Sequence, residues 1–176
     1  MRRLRSRCGV LFFLVFMACS TNAFSLEIKS SAFGEGGYIP AKYTCESVDF
    51  SPPLVWSDIP EETKSFALIC DDPDAPFGTW VHWVIFNIPP TVRYLEENAA
   101  ARGKLPEGVK EGLNDFRRIG YGGPCPPRGK PHHYIFKLYA LDTILPLERG
   151  ATKKDLINAM QGHIIEQAQT TGLYKR

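Results

Sequence analysis

The segment DDPDAPFGTWVHW, residues 71–83, sets Asp72 and Asp74 on either side of one proline, follows them with Pro76, and places His82 among aromatic neighbours eight residues beyond Asp74. Carboxylates and an imidazole at that density suit three kinds of chemistry: metal ligation, acid-base catalysis and recognition of a charged ligand. The prolines leave the chain little freedom, which is one way to hold side chains where a site needs them. The same residues also fit an ordinary turn whose aspartates bond backbone amides, and a core histidine satisfied by a carbonyl or an aspartate.

A second unusual segment, YGGPCPPRGKPHHY, residues 121–134, carries His132, His133 and Tyr134 behind a stiff loop of glycines and prolines. In an extended chain His132 and Tyr134 share a face and His133 takes the other, so at most one of these histidines can look into the same cavity as His82. The loop is no P-loop, because no GK[ST] follows it and proline lacks the amide donors such a loop depends on. Free amides at Gly122, Gly123 and Cys125, beside histidine and tyrosine donors, are instead expected to hold a small anion. Arg117, Arg118, Arg128 and Lys130 would raise the local positive potential.

No G-x-S-x-G elbow and no partnered cysteine marks a nucleophile, and no two cysteines stand at zinc-ligand spacing. The expectation is a binding protein with no catalytic residue, no metal and no cofactor. The alternative is a metal-dependent or acid-base hydrolase using Asp72, Asp74, His82 and His132. A third reading, a purely structural domain, has its pocket filled by its own side chains.

The elements that must position these residues read as strands: LVW (54–56), KSFALICDD (64–72), WVHWVIFNI (80–88) and HYIFKLYALD (133–142) are β-branched and aromatic runs punctuated by proline and glycine. Strict alternation puts Trp80, His82, Val84 and Phe86 on one face and Val81, Trp83, Ile85 and Asn87 on the other. The tail behaves differently. Leu156, Ala159, Met160, Ile164 and Ala168 recur at helical spacing behind Thr152 as N-cap and Asp155 three residues on, which predicts an amphipathic helix stopped at Gly172. Residues 91–131 show little periodicity, and a connection that long is usually functional. The fold class is mainly β, two packed sheets with long loops, closed by a C-terminal helix.

At the N-terminus, MRRLRSR followed by the apolar run GVLFFLVFMA predicts a secretory signal peptide over residues 1–23, cut after Ala23, with a single domain over 24–176. A lipoprotein-type cut, with an anchor on Cys19, is the alternative. The apolar run is too short for a spanning helix. Losing the leader removes four arginines and turns the formal charge of +2 into about −2, which takes away the electrostatic case for nucleic-acid binding. Export to the periplasm or beyond is expected. Of the cysteines past the leader, Cys70 lies in an apolar run, and Cys45 and Cys125 lie in loops. An odd number leaves either one bridge and a free thiol or no bridge, and Cys45–Cys125 is the pair expected if one forms.

Taken together, DPDAP (72–76), WVHW (80–83), GPCPPRG (123–129) and HHY (132–134) resemble the phosphatidylethanolamine-binding protein family, in its bacterial Raf kinase inhibitor-like branch. SPPLVWSDIP (51–60), NDFRRIGYGGPCPP (114–127), LYALD (138–142) and AMQGHI (159–164) extend the likeness over nearly the whole domain. The resemblance implies a central antiparallel sheet flanked by a smaller one, with a C-terminal helix, and a pocket for anionic groups. The pocket residues it implies are Asp72, Asp74, Pro76, Trp80, His82, Cys125, Pro126, His132 and Tyr134. Two departures stand out: His133 where the family usually has arginine, and Val81 where it often has a second histidine. The partners implied are a phosphate-bearing small molecule, a lipid head group or a phosphorylated protein, with inhibition of a kinase or protease and a homodimer both left open. Within that frame the two aspartates are expected to position and charge His82 and His132, which then donate to an oxyanion.

Overall fold

The protein is described by a computed structural model covering residues 25–101 and 104–176. The signal segment, its cleavage point and Cys19 lie outside the described residues.

Among the described residues nine strands form two sheets, with one α-helix packed against the larger. A three-stranded sheet has the order β1 (Glu27–Ser30), β3 (Leu54–Ser57), β6 (Tyr94–Leu95). The six-stranded sheet runs β2 (Gly37–Tyr38), β9 (Ile164–Tyr174), β8 (His132–Leu141), β4 (Ser65–Asp72), β5 (Trp80–Ile88), β7 (Lys110–Glu111). Every pairing in it is antiparallel except the two-residue edge between β2 and β9. The four predicted strands are all present, and β4 is buried along its whole length because it has a cover on both faces.

On one face Phe66, Leu68, Cys70, Trp83, Phe136 and Leu138 pack against the small sheet through Ile28, Leu54 and Trp56. On the other, Ala67, Ile69, Val84 and Phe86 lie beneath Leu145 and the helix residues Leu156 and Met160. The result is three layers: small sheet, large sheet, helix. Each fully buried aliphatic or aromatic side chain contributes roughly 1.5–3 kcal/mol through removal from water.

Helix α1 (Lys153–Met160) opens as expected, with Thr152 accepting from the Asp155 amide and Asp155 returning a bond to the Thr152 amide. It ends earlier than expected. The chain turns at Gln161–His163 and residues 164–174 become β9, paired with β8 over ten registers. Ile164, Ala168 and Gly172 are four residues apart, an interval that satisfies a strand period of two as well as a helical turn. The open edge of β8 decides between them, since its backbone groups need partners. Gly172 is therefore a strand residue rather than a helix stop. Its missing Cβ makes room for Ile39 and Phe33, whose atoms would stand 2.5–2.9 Å from a methyl group there.

Cys45 and Cys125 form a disulfide and Cys70 is a buried free thiol. Residues 114–120, within the stretch of little periodicity, are better ordered than their composition suggests. Asn114 donates to the Gly120 carbonyl and accepts from the Arg118 amide, and Asp115 accepts from the Val81 amide. These bonds strap the loop onto the start of β5, where the site lies.

Candidate ligand-binding pocket

Strand β5 is not a regular strand. Cys70 pairs with Trp83 and Asp71 with Val81, so His82 is the extra residue of a β-bulge. A second irregularity follows at Phe86–Asn87, where Asn87 takes φ of 58°. The first bulge reverses the alternation expected from the sequence: Val84 and Phe86 face the helix layer with Val81, while His82 shares the opposite side with Trp80 and Trp83. Bulges re-aim side chains in this way, commonly beside functional sites.

His82 is 2% exposed, and its Nδ1 lies 2.5 Å from the Gly122 carbonyl. The Gly122 amide donates back to the His82 carbonyl at 3.0 Å. Phe116 and Tyr134 hold the ring plane edge-on, with centroids at 5.3 and 5.1 Å. Burial holds the imidazole's pKa below its ordinary 6.5, against the opposing influence of the Gly122 bond and the Asp72 charge. One consequence is a pH signature. The unfolded chain binds a proton that the folded ring resists, so stability is complete above the unfolded pKa and declines as the pH falls beneath it. Stability should drop between about pH 7 and pH 5, by at most about 1.4 kcal/mol per pH unit from this group, which a falling melting temperature would report. His82→Asn, which keeps a donor for Gly122 without titrating, should flatten that slope.

Asp72, at the end of β4, accepts from the Asp74 amide through Oδ1 and bonds His132 Nδ1 through Oδ2 at 2.8 Å. Asp74 lies past the strand end and takes both the His133 amide and His133 Nδ1 on one oxygen. Those bonds to His133 hold its carboxyl below the usual range. The expectation that the two aspartates serve His82 and His132 is thus half met: Asp72 orients His132, Asp74 is spent on His133, and a carbonyl orients His82. His133 points away from the cavity and keeps the Asp74 link. Val81 faces the helix layer, so neither departure from the family pattern reaches the pocket.

The cavity these groups surround has a volume of about 260 Å³. Asp72, Pro76, Trp80, His82, Cys125, Pro126 and His132 line it, as expected from the sequence; Asp74 and Tyr134 do not. Ala75, Phe77, Phe116 and Pro127 were not foreseen as lining residues. Phe77 is 99% exposed at the mouth, and an aromatic between Pro76 and Gly78, directly after the aspartates, was the signal available for it. Phe116 stacks edge-on against Trp80 at 5.4 Å and receives Arg118 over its ring.

Two further expectations are corrected. The Gly122 and Gly123 amides are not free, since they donate to His82 and to Asp49 respectively. The basic residues do not line the cavity, and Arg118 instead pairs with Asp49 at 3.5 Å. Two other donors are buried without partners: Trp80 Nε1 and the Tyr134 hydroxyl, which burial and then the Asp72 charge push far above the usual phenol range.

A larger depression of about 440 Å³ lies on the helix side of the sheet. Several of its polar groups are already engaged: Lys153 with Asp71, Asp115 with the Val81 amide, and Thr152 with Asp155. Among the described residues no three His, Cys, Asp or Glu side chains are grouped as a metal would need.

A mainly β fold of two sheets, with a small pocket where β4, β5 and β8 meet the disulfide-tied loop, defines a ligand-binding domain. Residues 29–175 match the family model for phosphatidylethanolamine-binding protein, and the chain belongs to that family. A UPF0098 protein of Methanothermobacter thermautotrophicus is 54% identical over 86% of this chain and 99% of its own length. One from Aquifex aeolicus is 50% identical over 92% and 95%. The crystal structure of Escherichia coli YbcL, described as a member of the mammalian PEBP family, aligns with a TM-score of 0.82 and 39% identity over 87% of this chain and 99% of its own. A phosphatidylethanolamine-binding protein homolog from Chlamydia trachomatis aligns at 0.79 and 43%, covering 86% and 98%.

Proposed function

We propose that this protein is an exported binding or modulatory protein whose pocket takes a small phosphate-bearing group, without catalytic turnover. The observation that carries this is the convergence of Asp72-oriented His132, carbonyl-oriented His82 and the unpartnered buried Trp80 Nε1 around one cavity walled by proline and aromatic side chains. Apolar walls with a few fixed polar groups are the ordinary makeup of a small-ligand site. The Cys45–Cys125 bridge supports an oxidising compartment, since such bonds persist mainly outside the cytosol. Against the hydrolase alternative stands the pairing pattern: Asp74 is committed to His133, and no second carboxylate shares the cavity with Asp72.

Calorimetric and thermal-shift titration with inorganic phosphate, phosphoethanolamine and zinc tests this. Phosphate should raise the melting temperature by mass action. His82→Ala and His132→Ala should each weaken binding about 10-fold or more, the worth of one charge-assisted hydrogen bond. Silence toward both phosphate compounds with tight stoichiometric zinc would put hydrolysis in its place. No response to any of the three, with His82→Ala changing only stability, would leave a structural domain.

A further inference from the structure

We propose that His82 acts in the pocket as a hydrogen-bond acceptor, so that the site selects a phosphate group still carrying its P–OH proton, as free phosphate monoanion or protonated phosphomonoester, over phosphodiesters and sulfate; this rests on the anion pocket proposed above.

The geometry begins at Gly122. Its carbonyl can only accept, so the bond at 2.5 Å requires the proton on His82 Nδ1. That carbonyl is itself fixed, because the Gly122 amide returns a bond to the His82 carbonyl and Phe116 and Tyr134 clamp the ring. A neutral ring with hydrogen on Nδ1 carries a lone pair on Nε2, an acceptor. Nε2 has no partner among the described residues, and His82 lines the cavity. Making Nε2 a donor means protonating a ring that is 2% exposed, which burial opposes.

The charges around the ring point the same way. Asp72 approaches from β4, Tyr134 and His132 from β8, and Asp49 with its partner Arg118 from the loops, while Asp71 lies on the far face of the sheet. The cavity lining contains Asp72 and no lysine or arginine. A dianion would meet one negative charge with His132 alone to offset it, so a monoanion is the better fit. Both Asp72 oxygens already accept, from the Asp74 amide and from His132, which commits the carboxylate to orienting His132. A phosphodiester is a monoanion but brings only acceptor oxygens to the Nε2 lone pair. Sulfate at neutral pH does the same with one charge more. A protonated phosphate donates its P–O–H to Nε2 and turns its other oxygens toward Trp80 Nε1 and His132.

The test is calorimetry on the purified protein at pH 6 with inorganic phosphate, phosphoethanolamine, dimethyl phosphate and sulfate. The first two should bind at least about 10-fold more tightly than the last two, the cost of leaving a buried acceptor facing another acceptor. The phosphoethanolamine-to-dimethyl phosphate affinity ratio should fall at least about 10-fold between pH 6 and pH 8, as the monoester, with a second pKa of about 6, loses its only P–OH proton, while inorganic phosphate keeps one P–OH as the dianion and should fall less. His82→Gln, which can present an amide donor, should bring the ratio toward one. Phosphoethanolamine stronger than inorganic phosphate would identify an ester as the natural group, and the reverse would identify the free ion. Equal binding of sulfate or dimethyl phosphate, or a ratio flat with pH, overturns the acceptor role while the anion pocket stands. No binding of any of the four overturns both.

Discussion

Exchanging Cys45 and Cys125 together for serine is expected to lower stability by about 3–4 kcal/mol, or about 10 °C in melting temperature for a domain of this size. The bond closes a loop 80 residues long in sequence, and the entropy it removes from the unfolded chain grows with that length. It also locks a contact between two pieces of chain: the Cys45 amide donates to the Pro124 carbonyl, Gly123 donates to Asp49, the Tyr121 hydroxyl donates to the Tyr43 carbonyl, and Arg118 pairs with Asp49. Cys125, Pro126 and Pro127 form one wall of the pocket, so the bridge fixes a wall as well as the chain. The serine variant should therefore lose phosphate affinity in excess of its loss of stability, measured below its melting transition. Retained affinity in a destabilised variant would show that the strap through Asn114 and Asp115 is enough to hold the wall.

Much of this architecture was legible in the sequence. Each main strand is a dense β-branched and aromatic run between prolines or glycines, so local preference and tertiary need agree on β3, β4, β5 and β8. The helix start was equally clear, because a capping box is a local device. What failed were the places where a distant partner decides. The end of α1 depended on the unpaired edge of β8, and the facing of Val84 and Phe86 depended on a bulge that only the register of β4 reveals. In the pocket, seven of the nine residues named line the cavity, yet the bonding pattern was misassigned. Asp72 and Asp74 look equivalent in DPDAP, but β4 ends between them. That leaves one aspartate facing His132 and the other in a turn beside His133. The disulfide was open at the level of sequence and is settled by the loops coming together, with Cα atoms 5.4 Å apart.

Gly123→Ala is expected to be the most damaging single-methyl change in the site, costing about 2–3 kcal/mol through overpacking and about 5–10 °C in melting temperature. A Cβ there would stand 2.3 Å from Asp49 Oδ1, 2.4 Å from the Tyr43 carbonyl oxygen and 2.9 Å from the Thr44 Cα. Two of those atoms are backbone and cannot rotate away. The third accepts the Gly123 amide itself at 2.7 Å, so moving Asp49 strands that donor and loosens its contact with Arg118. The Tyr43 carbonyl is also the acceptor for the buried Tyr121 hydroxyl. The loop would relieve the clash by lifting away from the 41–49 turn, and the Cys45–Cys125 bond two residues on prevents that. Strain is then passed to Gly122, whose carbonyl aims His82. Phosphate binding should weaken along with stability, and placing Gly123→Ala in the background without the disulfide should cost less than in the bridged protein. Gly34→Ala is the control, since a methyl group there meets nothing within 4 Å. Equal melting temperatures for Gly123→Ala and Gly34→Ala would mean that the loop has slack, and that the Gly122–His82 pairing is not held from this side.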